Sequence, residues 1–479
     1  MRLKRILALG SIVSASPMIE YASRLGRTII LSHMLSPTEF GISIALTILL
    51  ATAGLVTDIS LDKFLMSSGG DDVRKTLGAV HFLTVLRGLV LAGAIFIAAP
   101  WIADFFGAPG SIWAFRSIGV ISAISAFAHF GIKQALRDFS YGRDAVANVA
   151  AQVTAFAAIY PAVRGFGDHR AIVLSLLVEA IVYVAASHLL ARVRYSATSA
   201  ERHILGQALA FGLPLTLNGL GLAMLSQFDR GLVSHWLGLS SLALYAVILN
   251  LAVVPISLIF RVVGQLWLSF LTRARHRGNV DTKVYPVMVW SFALVASTYA
   301  LFTAMTLDLL VPLIFGRIYT VSPLIHMLVT MMVWFRVQRG GAPSLLMLSD
   351  GRTSRLTIGN LTAGTGIALA LVGLYFVPRL ETMFVCVVIG EAISTIVMFW
   401  ISQTTRTQSR ILYSHVLWSL SATVVAAIGD FVLVPSNLTG RIIVFVVASI
   451  IILAHATYGI RKYSSYMTAW FGFRFSEGS

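Results

Sequence analysis

The chain has 479 residues, of which 57% are hydrophobic and only 12% charged, with a mean hydropathy of +0.84. Soluble domains carry about 25% charged residues, so a soluble globular protein is excluded. The net charge of +16 does not call for nucleic acid, because the basic residues lie mainly between apolar runs, where orientation and anionic lipid headgroups account for them.

Apolar runs of about 20 residues recur from end to end, each long enough to cross a bilayer as a helix. Barrel strands would be shorter and alternating, and no sustained alternation occurs. Met1-Arg2-Leu3-Lys4-Arg5 followed by Ile6–Ala15 resembles the charged and apolar parts of a signal peptide. The apolar character resumes beyond Arg24 and runs to Leu35, which predicts one long first helix instead. In order, about fourteen spans are expected, at roughly 6–35, 40–66, 77–99, 112–133, 145–163, 170–192, 205–236, 242–271, 284–308, 321–347, 356–377, 381–402, 411–434 and 441–460. With the N-terminus inside, about 22 Lys and Arg fall in inner loops against about five in outer ones, so both termini are expected in the cytoplasm. No predicted loop exceeds about 15 residues, which leaves no room for a soluble catalytic domain.

A polar hinge, Ser32-His33-Met34-Leu35-Ser36-Pro37-Thr38-Glu39-Phe40-Gly41, separates the first two spans. Ser234-His235-Trp236-Leu237-Gly238-Leu239-Ser240 repeats it between the seventh and eighth. Phe106-Gly107 recurs as Phe315-Gly316 at nearly the same shift. Six spans lie between the copies, so both cross the membrane in the same sense, as in a parallel repeat. The expected fold is therefore an all-α integral membrane protein. It has an N-lobe over 1–195, a C-lobe over 203–403, and two further helices with a tail over 411–479. The two six-helix lobes would flank a central cavity. Gly69-Gly70 is expected in a loop turn and Gly340-Gly341 at a helix break.

A charge at mid-helix costs about 2.5–3.5 kcal/mol on insertion scales, so it needs a partner or a wet cavity. Glu20, Arg24 and Arg27 share one face of the first span. Arg87, Glu179, Asp229, Arg230, Arg261, Arg336, Arg339 and Glu391 lie in later spans. Some have simple structural explanations. Glu20 and Arg24 have the favoured i, i+4 order for a pair. Asp229 is a possible partner for Arg27, and Arg87 and Arg116 are placed to snorkel. The sum, about +7 from arginine against about −4 from acids, calls for an anion. All the deep cations are arginine, which grips phosphate bidentately. Arg24, Arg27, Arg87, Arg230, Arg261, Arg336 and Arg339 are thus candidate substrate ligands. Glu20, Glu179, Asp229 and Glu391 are candidate coupling or counter-charge groups. Asn218, Gln227, Asn250, Gln265, Asn360 and Gln403 are polar candidates for a cavity, with Trp267, Tyr299 and Trp334 as aromatic ones.

No phosphate-binding loop of the G-x-x-x-x-G-K-[ST] kind occurs, so no ATPase site is expected in the chain. Cys386 is the single cysteine, and the eleven histidines have no ligand spacing. His129, His188 and His455 read as isolated helix residues. No metal or cofactor is expected.

Arg24-Leu25-Gly26-Arg27 with Leu35-Ser36-Pro37-Thr38-Glu39-Phe40-Gly41 resembles the first helix and turn of the polysaccharide transporter flippases. These belong to the multidrug/oligosaccharidyl-lipid/polysaccharide exporter superfamily. Asp229-Arg230, Leu237-Gly238 and Ala243-Leu244-Tyr245 resemble its seventh-to-eighth helix segment, and Phe315-Gly316-Arg317-Ile318-Tyr319 its ninth-to-tenth loop. Gly238-Leu239 stands where that family usually has Gly-Pro. The resemblance implies twelve or fourteen helices in two lobes and a V-shaped cationic cavity, with Arg24, Arg27 and Arg261 lining it. It also implies alternating access, carrying an undecaprenyl-pyrophosphate-linked oligosaccharide across a bacterial inner membrane for surface polysaccharide export. Membrane lipids, a polysaccharide polymerase and export machinery are the expected partners. A cation-coupled multidrug-type efflux transporter is the first alternative, and would want acids to dominate the cavity. A membrane polymerase or acyltransferase is the second, and would want a large external loop or a catalytic histidine pair.

Overall fold

Ser36-Pro37 ends one helix and starts the next. Proline disfavours helical backbone in the residue before it and suits the first helical position. In the computed structural model, α1 (Arg2–Met34) stops at this point and α2 (Pro37–Val56) begins. The Ser36 hydroxyl accepts a 3.3 Å hydrogen bond from Glu39 N and so caps α2. The structure describes residues 2–56, 61, 64–65, 73–134, 142–193, 195, 201–276, 284–403, 405–433 and 438–471, with some side chains inside those helices excepted. Gly69-Gly70 lies outside them.

Four helices follow: α3 (Val73–Phe105), α4 (Ile112–Ala126), α5 (Gly142–Phe166) and α6 (Arg170–Leu190). Then α7 (Arg202–Leu237) leads to the second joint. Gly238 has φ +82°, the left-handed backbone that glycine adopts without strain, and α8 (Leu239–Ala252) starts immediately after it. Glycine alone makes this turn, so the missing proline changes nothing locally. The chain divides into two compact units, Met1–Ala243 and Leu244–Ser479. In the first, α5 packs on α6 and on α1, α3 packs on α4, and α2 packs on α7.

The two joints meet within this unit. The Thr38 and Ser240 hydroxyls are 3.2 Å apart and 202 residues apart in sequence, which is the repeat shift itself. A Cβ on Gly41 would stand 2.2 Å from the Leu239 carbonyl oxygen, so only glycine admits this approach. Nearby, the Ser234 hydroxyl donates to Phe106 O at 2.8 Å, and His235 Nδ1–H donates to Phe105 O at 3.0 Å.

The second unit continues with α9 (Val254–His276), α10 (Tyr285–Phe315), α11 (Pro323–Gly340), α12 (Ala342–Ser349), α13 (Thr353–Leu361), α14 (Gly364–Phe376), α15 (Leu380–Ser402), α16 (Arg406–Leu433) and α17 (Leu438–Phe471). Gly341 breaks α11 from α12, as the glycine pair predicts. The last two helices pack closely on α10. Ser419 of α16 joins them, accepting from Trp334 Nε1 at 2.8 Å and donating to Ala293 O at 2.7 Å. Trp334 is only 2% exposed, so it is core and not a sugar-stacking platform.

The protein is an all-α, multi-span membrane protein. Among the described residues nine helical segments are long and apolar enough to cross a membrane. Five other expected spans are helical but fall outside that set. The first carries Glu20, Arg24 and Arg27; α4 has 15 residues; the expected 242–271 and 321–347 are interrupted at Val253 and Gly341. The remaining one is α7, with 36 residues.

Candidate functional site

Two turns of α1 bring Glu20, Arg24 and Arg27 to the same side of the helix, toward α5 and α6. There the first unit encloses a polar cavity of ≈ 250 Å³, lined among others by Glu20, Arg24, Asp144, Asn148, Gln152 and Glu179. The two arginines have separate fates. The Arg27 side chain is 5% exposed and both of its Nη atoms are hydrogen-bonded. Nη1 donates to Glu179 Oε2 at 2.7 Å and to Ser175 Oγ at 3.2 Å, and Nη2 donates to Gln152 Oε1 at 3.0 Å. Gln152 Nε2 closes the ring by donating to Glu179 Oε1 at 2.8 Å. Ser175 Oγ in turn donates to Ala155 O at 2.8 Å. Arg27 is therefore a tie between α1, α5 and α6. Its expected pairing with Asp229 is corrected by this geometry, since its partner is Glu179.

Arg24 differs. Its Nη2 pairs with Glu20 at 2.8 Å, but 61% of its side chain stays exposed. Such an exposed pair holds weakly and can exchange its partner. Asn148 Nδ2 donates to the other Glu20 oxygen at 3.3 Å, and Tyr183 OH donates to Asp144 at 2.9 Å. The cavity wall thus carries three carboxylates, Glu20, Asp144 and Glu179, beside one arginine, Arg24. This is more acidic than the expected cationic cavity, because Arg27 lies behind Glu179.

In the second unit Glu391 is buried near the middle of α15 and shared by two guanidinium groups. Arg336 Nε donates to Oε1 at 2.6 Å, and Arg339 Nη2 lies 3.0 Å from Oε2. Arg339 Nη1 also donates to Asn360 at 3.3 Å. Sequence predicted each residue but not this grouping. Asp229 and Arg230 sit on α7 and do not line the first unit's cavity, and Arg230 Nη1 donates to Gln227 at 3.1 Å. Arg87 is half-buried on α3 and does not line the cavity. The side chains of Arg261, Asn218 and Gln265 lie outside the described residues.

Sequence reasoning missed Asp144, Asn148, Gln152, Ser175 and Tyr183. Gln152 and Asn148 had a signal: both are polar within the apolar run of α5, one turn apart. The histidines also need correction, since they are not isolated. The His129 and His188 rings are 5.0 Å apart, and Tyr195 OH hydrogen-bonds His81 Nδ1 at 3.1 Å. His415 Nδ1 and His455 Nε2 are 2.9 Å apart. That second pair is 1% exposed at each residue, which denies it to any substrate. No group of three His, Cys, Asp or Glu suited to a metal occurs among the described residues.

The polysaccharide biosynthesis protein family matches residues 30–323, more than half of the chain. The chain belongs to that family. No curated protein matches it in sequence. Among solved structures, the lipid II flippase MurJ in an inward closed conformation has a TM-score of 0.63 at 13% identity, covering 94% of this chain and 98% of its own. An inward-facing multidrug resistance MATE family transporter of the MOP superfamily has 0.59 at 17%, covering 82% and 96%. A MATE structure in a straight conformation has 0.53 at 16%, covering 85% and 96%. At these identities the likeness is one of fold. A family member therefore carries a MOP-type transporter fold over nearly its whole length.

Proposed function

We propose that the protein is a flippase that moves an undecaprenyl-pyrophosphate-linked oligosaccharide across a bacterial inner membrane by alternating access, for surface polysaccharide export. Membership of a polysaccharide biosynthesis family with the MurJ-like fold supports this over drug efflux. The observation that carries the site is Arg24, whose guanidinium, alone among the described arginines of α1, lines the polar cavity. Arg24 binds the pyrophosphate, polar cavity groups meet the sugars, and the polyprenyl tail stays in lipid. The finer architecture belongs to the same reading: fourteen spans in two lobes, with both termini cytoplasmic. The contact between Thr38 and Ser240, equivalent under the repeat, supports it. A polysaccharide polymerase and export machinery would take the product.

The acid-rich wall favours one element of the alternative reading, coupling to a cation. Glu20, Asp144 and Glu179 supply the negative wall that attracts it in this proposal, with Glu391 as counter-charge in the second unit. An acyltransferase finds no support, since the closest histidine pair is buried.

The test is translocation of a labelled polyprenyl-pyrophosphate oligosaccharide in proteoliposomes. Arg24→Gln should abolish transport while leaving protein yield and melting temperature unchanged. Full transport by that variant would sink the assignment.

A further inference from the structure

The first unit holds a second cavity unlike the first. It measures ≈ 350 Å³ and lies between α2, α3 and α7. Its walls include Ile48, Trp101, Phe105, Phe106 and Phe228, and its polar lining is confined to Thr52 and Gln227. That volume is at the low end of ligand pockets, roughly 300–1,000 Å³, so it takes a length of chain and not a whole drug-sized molecule. Within a bilayer such a pocket gains nothing from hydrophobicity alone, since lipid tails are equally apolar. Selection of an occupant must come from shape and from an anchoring charge.

The anchor stands at the polar edge. Arg230 is three residues after Gln227 on α7, and its Nη1 donates to Gln227 Oε1 at 3.1 Å. Among the described residues the guanidinium makes no ion pair, and its buried Nε has no hydrogen-bond partner. The nearest acid is Asp229, whose carboxylate accepts from the Arg230 backbone N at 2.8 Å. Among the described residues Nη2 has no hydrogen bond to another side chain, and a guanidinium in that state pairs well with phosphate.

We infer that this pocket is an entry site, binding the first isoprene units of a polyprenyl diphosphate with Arg230 holding its phosphate, before the head group passes to Arg24 and the chain returns to lipid. The inference rests on the flippase reading for the identity of the lipid. One apolar pocket is joined to one guanidinium through Gln227, which lines the pocket and accepts from Arg230. A polyprenyl diphosphate matches that, because a single chain leaves the phosphate directly. A phospholipid does not, because a polar glycerol and two chains intervene. The aromatic walls suit the flat, methyl-branched double bonds of an isoprenoid. Gly231 keeps the pocket open: a Cβ there would come within 3.2 Å of the Phe105 ring.

The experiment uses the full chain in nanodiscs and a polyprenyl diphosphate carrying a diazirine on its first isoprene units. Cross-links are expected on peptides containing Trp101–Phe106 and Gln227–Gly231. Unlabelled polyprenyl diphosphate should compete, and a tenfold excess of phosphatidylglycerol should not. Arg230→Gln should lower labelling at least fivefold. Gly231→Leu should abolish it by filling the pocket; Phe228→Ala, which removes a wall, serves if that variant fails to fold. Labelling elsewhere, equal displacement by phosphatidylglycerol, or unchanged labelling in Arg230→Gln overturns the inference. Labelling as expected without any translocation keeps the pocket and removes the flippase. Translocation that persists in variants with no labelling removes the pocket and keeps the flippase.

Discussion

Replacing Arg27 with Met separates a structural arginine from a substrate ligand. The guanidinium makes three hydrogen bonds, to Glu179, Ser175 and Gln152. Its removal leaves Glu179, only 22% exposed at its side chain, without its cation. Breaking one side of a buried pair costs about 3–5 kcal/mol. The adjoining cavity wets one edge of Glu179, which points to the lower end, about 3 kcal/mol, or more than a hundredfold in the folded-to-unfolded ratio. Arg27→Met should therefore lower the melting temperature and yield in detergent. Adding Glu179→Leu should restore most of the loss, because an apolar pair of similar volume replaces a buried ion pair with little net cost. The assay is thermal unfolding of the wild type, both single variants and the double variant. A stable Arg27→Met protein that has lost only its affinity for the pyrophosphate carrier would refute this reasoning and return Arg27 to the substrate.

Gly41→Ala puts a methyl 2.2 Å from the Leu239 carbonyl oxygen; such overpacking costs about 1–3 kcal/mol, and Gly54→Ala, which meets nothing within 4 Å, should leave the melting temperature unchanged. Glu391→Leu strands two guanidinium groups and should destabilise more than Arg339→Met, which strands none; equal melting temperatures would contradict the shared clamp. Tyr195→Phe removes the acceptor of Phe130 N–H at 2.9 Å and the partner of His81, a loss of about 1–3 kcal/mol. Burial pushes the Tyr195 phenol up to about 12, so it stays neutral as pH rises and should ionise only near that value, visible as phenolate absorbance.

The joints were legible because turns are local. Ser36-Pro37 and Gly238 each fix the backbone by their own stereochemistry, and the structure breaks its helices at those residues. The deep charges were legible as charges, since nothing in hydrocarbon hides them. Their partners were not. Arg27 meets Glu179 across 152 residues and Gln152 across 125, and no pattern in either helix sets that registry. Spacing along α1 put Arg24 and Arg27 on one face and so made them look alike. Packing against α5 and α6 buries one and exposes the other. The histidines failed for the same reason: His415 and His455 are 40 residues apart in sequence and touch only because α16 packs on α17.

The symmetry of charge is also of a different kind from the one the hinges suggest. The acid repeats, with Glu179 near the middle of α6 and Glu391 near the middle of α15, while the arginines come from α1 in one unit and α11 in the other. On the proposed reading this links the cargo to the coupling ion. A pyrophosphate at Arg24 takes that side chain from Glu20, which is left with Asn148. Glu179 keeps Arg27, but Glu20 and Asp144 then line the ≈ 250 Å³ cavity without a paired cation, and their repulsion favours uptake of one. Linkage is reciprocal, so the cation must strengthen cargo binding by the same factor, typically about 5- to 150-fold. Carrier affinity measured across sodium concentration and across pH should rise with one of the two. Arg24→Gln weakens the carrier but also removes the exchange, so its remaining affinity should no longer respond. An affinity indifferent to both ions in the wild type would leave the acid-rich wall without a part in transport.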